Sequence, residues 1–387
     1  MNRYFPASNI FRISTCYVAL AILCILAVTV IAWKIPFLGW DMLPYVAIVH
    51  SWTDATPADI HAATYADAAR FAADHHLEAV MRLLGQGPYR ETMETDAGAF
   101  SEQLPLYKIR PLYLLIVAAV AKFTPTVSEA TVLVSVLSFC ACCMTILWYG
   151  VRSVGAASGS IVAALFALSP PAIGAAKLST PDALLTLLVT VAAILFVRGR
   201  LLTAAVLLTT GVLIRTDLEL FDLCLAISWL LLSWAQSYVV LVSGILAASV
   251  LVGAAVNAWA GNYGYVVLYR FTFIDGSVPH PASLRGLGIP LTTFVNNIVR
   301  GVRNSLDNGG LWILLAMLGL CVALSRPGAL TCRALLASVA AYTCARFILF
   351  PEHDVRLAAP AFAILTVALL TIGAGRPLTP AGASTGS

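Results

Sequence analysis

Charge is what this sequence has least of. Only 11% of its 387 residues are Asp, Glu, Lys or Arg while 60% are hydrophobic, whereas an average soluble domain is about 25% charged. Such a chain cannot cover a water-facing surface, which excludes a soluble domain. Strict alternation of apolar and polar residues is also missing: Val239 to Val256 is apolar on nearly every face, which excludes the strands of a membrane β-barrel. Cysteine occurs nine times but never within the polar stretches 36–110 and 260–310. No disulfide framework staples those loops, and the thiols read as small buried side chains. With 23 basic against 19 acidic residues, a net charge of +4 is too small to point to nucleic acid. A phosphate-cradling Walker loop, a dinucleotide fingerprint and a zincin motif are all absent.

Long apolar runs are what the chain has instead. A spanning helix takes about 20 residues at a rise of about 1.5 Å each, and runs lie at 16–35, 111–123, 129–149, 160–176, 183–197, 201–214, 217–235, 238–259, 311–324, 334–350 and 357–373. Ten of them as crossings make an all-α, polytopic transmembrane bundle forming one domain over 1–375. The Ser/Thr/Gly/Pro-rich stretch 376–387 reads as a disordered tail. The run 111–123 is the shortest, which suits a re-entrant or surface segment. Arg3 and Arg12 precede the first run as in a signal peptide, but Trp33-Lys34-Ile35-Pro36 offers no small-residue cleavage site, so an uncleaved first span is expected.

Segment 36–110 holds ten of the nineteen acids against five bases. Basic residues favour the cytoplasmic side; Arg152, Arg198, Arg200, Arg326 and Arg333 put their turns inside and this acidic loop outside, with the second loop 260–310. Both ends of the chain then come out cytoplasmic. Thr56-Pro57 is a helix start with proline at the first position, and Ile60, Thr64, Ala68 and Phe71 fall on one stripe. Amphipathic helices on the outer membrane surface are expected there, ending near Gly85-Gln86-Gly87-Pro88.

Ionisable groups near the bilayer need a reason. Asp41, six residues past the first run in Gly39-Trp40-Asp41-Met42-Leu43-Pro44-Tyr45, fits either a helix N-cap or a partly desolvated general base. Arg356, in Pro351-Glu352-His353-Asp354-Val355-Arg356, either snorkels to the interface or offers a planar fork to a lipid-linked phosphate. His353 with its acidic neighbours does not make a closed metal-ligand set; no cofactor is expected, a divalent cation being possible but unsupported. Lys108 and Arg110 beside Tyr107 and Tyr113 are interfacial anchors or an anion site. Asp182 suits the start of a helix, and Arg215 with Asp217 suits mutual neutralisation.

These features, in this order, resemble the GT-C superfamily of integral-membrane glycosyltransferases. The matching pieces are Trp40-Asp41-Met42-Leu43-Pro44-Tyr45, Arg110-Pro111-Leu112-Tyr113, Ser179-Thr180-Pro181-Asp182-Ala183-Leu184-Leu185, Arg198-Gly199-Arg200, Leu213-Ile214-Arg215-Thr216-Asp217 and Asp354-Val355-Arg356-Leu357-Ala358-Ala359-Pro360. Each is short, and together they span most of the chain. Relatives include the protein O-mannosyltransferases and the lipid A aminoarabinose transferases, which take a sugar from a polyprenyl phosphate. The resemblance implies Asp41 as the catalytic acidic residue, Arg356 as a phosphate contact, Asp182 as a further acidic position and inversion at the sugar carbon. It also implies a bacterial inner membrane with the site facing the periplasm. Many relatives carry paired acids after the first span, where Asp41 is followed by Met42. Two other readings compete. A transporter or flippase is expected to carry ionisable or broken-helix positions at mid-bilayer, whereas here the deep residues read as overwhelmingly apolar with the charges at run ends; a scaffold would use Asp41 only as a cap.

Overall fold

Prolines and capping side chains mark where the helices begin, and lipid-length apolar stretches decide how far they run. The computed structural model describes residues 7–375 apart from 54, 77–86, 234–237, 308–309, 325–329 and 352–353, with side chains from 14 onward except 306–313 and 355. The tail 376–387, Arg326, His353 and the expected helix end at Gly85 and Gln86 lie outside the described residues.

The opening helix α1 (Ala7–Lys34) is followed by α2 (Met42–His50) and α3 (Pro57–His75). As Thr56-Pro57 predicted, α3 opens on a capping box in which the Thr56 side chain accepts from Asp59 N and the Asp59 carboxylate accepts from Thr56 N. Its stripe of Thr64, Ala68 and Phe71 is buried, with Ile60 half-buried. Next come α4 (Pro88–Thr95), α5 (Ala97–Lys108) and α6 (Pro111–Val120), with a 108° bend between α5 and the segment 111–123. Arg110 sits in that bend.

The interior is built from α7 (Val127–Val154), α8 (Ala156–Ala167), α9 (Pro170–Lys177), α10 (Asp182–Val197), α11 (Leu201–Gly211), α12 (Leu218–Leu232) and α13 (Val239–Ala260). After α14 (Tyr265–Phe273) and α15 (Leu291–Asp307) in the second loop, the chain finishes with α16 (Gly310–Leu324), α17 (Leu330–Leu349) and α18 (Ala359–Gly373). Extended backbone pairs at a single bridge among the described residues, Phe37 with Leu178, where Phe37 N donates to Lys177 O at 2.7 Å. That bridge ties the segment entering α2 to the segment entering α10.

Five described helices are long and apolar enough to cross a membrane, or seven if each bent pair, α5 with 111–123 and α8 with α9, counts as one span. Helices α7 and α8 touch through glycine: a Cβ on Gly159 would lie 2.3 Å from the Gly150 carbonyl carbon. Small residues allow such close approach where lipid supplies no hydrophobic drive between helices. The outward faces are apolar. On α1, Ala21, Ile25 and Ala32 are buried while Leu20, Leu23, Val30 and Ile31 are mostly exposed. Helix α15 exposes an apolar stripe of Leu291, Val295, Val299 and Val302 beside a polar one that includes Asn296, Arg300 and Arg303. Exposed apolar stripes of this length mark a membrane-embedded protein.

The bundle has two chemically different ends. Helix α7 begins where Asp67 of α3 accepts from Val127 N at 2.8 Å and Ser128 N at 2.9 Å, and α10 begins at Asp182. Both finish at the far end, where Arg152 and Arg198 lie over the Trp148 ring at 5.3 and 4.9 Å and Tyr149 meets Thr371 of α18. Sixteen residues of α10 separate the ends by about 24 Å.

Candidate functional site

Asp41 occupies the N-cap position of α2 but its side chain makes no cap hydrogen bond. The carboxylate turns elsewhere: Tyr107 Oη donates to Oδ1 at 3.3 Å, and Oδ2 stands 3.6 Å from an Arg356 Nη. Of the two roles open to Asp41, the capping one is therefore not taken by its carboxylate.

Arg356 lies in the 3-10 turn Val355–Ala358, where its own amide donates to Asp354 Oδ1 at 3.1 Å. Its guanidinium faces three acids, with Asp354 at 2.7 Å, Asp41 at 3.6 Å and Asp182 at 3.9 Å. Asp182, buried at the start of α10, also accepts from Thr180 Oγ at 2.6 Å and is paired with Arg215. Arg215 uses its remaining donors on Asp217, through Nε at 2.9 Å and Nη at 2.6 Å. The expected neutralisation of Arg215 by Asp217 is thus half of a larger arrangement: Asp217, Arg215, Asp182, Arg356, Asp41 and Tyr107 form one continuous chain of charges and hydrogen bonds.

This chain forms a wall of a cavity of about 630 Å³ lined by Asp41, Arg110, Asp182, Arg215 and Arg356, with Trp40, Tyr45, Tyr89 and Tyr107 among its aromatic rings and Tyr265 and Phe271 from the second loop. Arg110, placed by the α5–α6 bend, donates to Tyr45 Oη and stacks on Tyr45 and Tyr107 at 5.2 and 5.6 Å. The cavity thus combines a carboxylate able to accept a proton, guanidiniums suited to an anion, and a set of aromatic rings. Trp40 meets Tyr89 edge-on at 5.4 Å and Phe100 at 6.5 Å, so the segment after α1 and the helices of the first loop close over it together.

The structure brings together Asp41, Arg110, Asp182, Arg215 and Arg356 but not Lys108, which lies over the Trp259 ring at 4.9 Å and does not line the cavity. Lys108 is the last residue of α5, and the bend that follows it re-aims Arg110. His353 lies outside the described residues. Arg346 of α17 was passed over inside the apolar run 334–350; it lines the cavity with its Nε 3.9 Å from Asp217. Glu219, Asn257 and Asn262 line it as well. An arginine inside an apolar run was the available signal. The expectation that charges fall only at run ends also fails, because Asp222 on α12 is fully buried within the bundle.

No family model, curated protein or solved structure matches this chain.

Proposed function

We propose that the chain is an inverting membrane glycosyltransferase that moves a sugar from a polyprenyl-phosphate donor to an envelope lipid, glycan or protein acceptor on the extracytoplasmic face. The observation that carries this reading is the meeting of Asp41 and Arg356, 315 positions apart, in one polar cavity at the end of an apolar bundle. In the proposed reaction Asp41 takes the proton of the acceptor hydroxyl as its oxygen bonds to the sugar carbon. The bond from that carbon to the phosphate oxygen breaks, and its electron pair leaves with the phosphate. Guanidiniums lining the cavity, from Arg356, Arg110 and Arg346, stabilise the leaving charge. A divalent cation has no part in this scheme, since Arg356 supplies the positive charge among Asp41, Asp182 and Asp354.

The topology that goes with it has ten crossings: α1, α7, the bent pair α8–α9, α10, α11, α12, α13, α16, α17 and α18, with the bent α5–α6 pair returning to the side it came from. Arg152 and Arg198 then face the cytoplasm and the cavity faces out, in a bacterial inner membrane.

The Asp41→Asn chain tests the reading. Envelope lipids and glycans are compared by mass spectrometry among cells carrying the native chain, the variant and neither. A sugar-bearing species present with the native chain should fall by about 10²–10⁴-fold in the variant, at unchanged melting temperature. Equal amounts with native and variant chains would reject Asp41 as the base. The second reading, a transporter or flippase of a lipid-linked or small solute, is favoured by buried Asp222 alone.

A further inference from the structure

Helices α12 and α13 form an antiparallel hairpin whose register is fixed at three levels. Ser243 Oγ donates to Ala226 O at 3.2 Å. One turn nearer the cavity, Asp222 has Ser249 and Glu219 as its polar neighbours. Above that, Glu219 lies so close to α13 that a Cβ on Gly253 would come 1.7 Å from its carboxylate oxygen. Glycine at 253 is what lets the carboxylate fold into the seam. Glu219 lines the cavity, and the three-residue spacing to Asp222 puts both acids on one helix face. A polar seam therefore leads from the cavity into the apolar interior.

Asp222 and Ser249 are both fully buried, on different helices. Neither carboxylate oxygen of Asp222, nor Ser249 Oγ, has a hydrogen-bond partner among the described residues. Among the described residues no ion pair reaches it. Helices α11 and α13 contain no titratable side chain. From α17, Tyr342 and Arg346 both turn to Asp217, at 3.5 and 3.9 Å, while Arg333 is exposed near the start of that helix; Arg215 is held by Asp182 and Asp217. Helix α12 itself adds only Glu219 and Cys224. An ionised carboxylate enclosed by apolar groups needs a positive partner, and the arginines nearby are committed elsewhere.

We propose that Asp222 holds a proton, directed at Ser249, and exchanges it with the cavity through Glu219, so that the α12–α13 seam is a proton-transfer site. In the exchange the Asp222 carboxyl gives its proton to the Glu219 carboxylate; Asp222 becomes the anion, Glu219 becomes neutral, and Glu219 passes the proton to water in the cavity. Reloading runs the same steps in reverse. The site does not depend on the sugar-transfer reading and would serve a transporter equally well.

Infrared difference spectroscopy on the full chain in lipid nanodiscs at neutral pH tests it, because a protonated carboxyl has a carbonyl band that shifts in heavy water. The native chain should show such a band and Asp222→Asn should lose it. Glu219→Gln should keep the band but slow its deuteration several-fold. In Ser249→Ala, which changes only the hydroxyl facing the acid, the band should move; this arm also serves if Asp222→Asn does not fold. Absence of a band sensitive to Asp222 or Ser249, or deuteration indifferent to Glu219→Gln, would overturn the proposal. Melting temperatures in sodium and choline chloride should agree; a sodium-specific rise lost in Asp222→Asn would mean a metal cation in place of the proton, which also overturns it.

Discussion

At the far end of the bundle, Arg152 and Arg198 both lie against the Trp148 ring, and Arg198 also covers Tyr149 at 5.2 Å. At the cavity end, Arg215 and Arg356 are threaded between Asp41, Asp182, Asp217 and Asp354. The same side chain does two jobs. A guanidinium on an indole at the rim keeps its charge toward water and anchors a helix end. A guanidinium enclosed by carboxylates stays because removing either partner exposes an uncompensated charge to a poor solvent. Position at a helix end is common to both, so what separates a site from an anchor is the company the charge keeps.

The sharpest way to break that contrast is Arg215→Met. It leaves Asp182 and Asp217 facing each other without their shared cation, and should cost about 3–5 kcal/mol, read as a drop in melting temperature in detergent. Adding Asp217→Asn should restore part of the loss, and no restoration would mean that Arg215 acts through packing instead.

A smaller effect is expected at Asp67, which holds the start of α7 and stands 3.6 Å from His50. Burial would raise its carboxyl, but His50, Ser128 and Val127 hold it below the ordinary range. The folded value lies below the unfolded one, so the stabilisation is complete above the unfolded value of about 3.9 and fades as pH falls through the folded value. Asp67→Asn should cost about 1–3 kcal/mol at neutral pH and flatten the acid limb of melting temperature against pH. An acid limb identical to that of the native chain would remove Asp67 from this role.

The mildest change belongs to the far end: Arg198→Ala should cost about 0.5–1 kcal/mol and leave the envelope species measured for Asp41→Asn untouched. A loss as large as that of Arg215→Met would erase the distinction between anchor and site.

Much of the first loop was legible because its signals are local. Thr56-Pro57 with Asp59 three residues after Thr56 is a complete instruction for a helix start, and α3 follows it. Asp41 stood out as a lone charge soon after the first apolar run, and Arg356 as the charge that directly precedes the last one. Arg346, Glu219 and Asp222 did not, because one to three charges inside such a run leave its average apolar, and the helix they belong to still forms. Lys108 and Arg110 looked alike in sequence; a bend after Lys108 sends one to Trp259 and the other to Tyr45.

By itself the sequence determined the solvent this protein lives in and the class of structure that solvent permits, since the need of every buried amide for a partner acts residue by residue along a helix. Which charges meet was decided only in three dimensions. The Phe37–Leu178 bridge, the 108° bend before α6 and the close α12–α13 seam bring positions 41, 182, 215 and 356 to one wall and leave Asp222 enclosed. Ion pairing acts over a few ångströms of space whatever the separation along the chain.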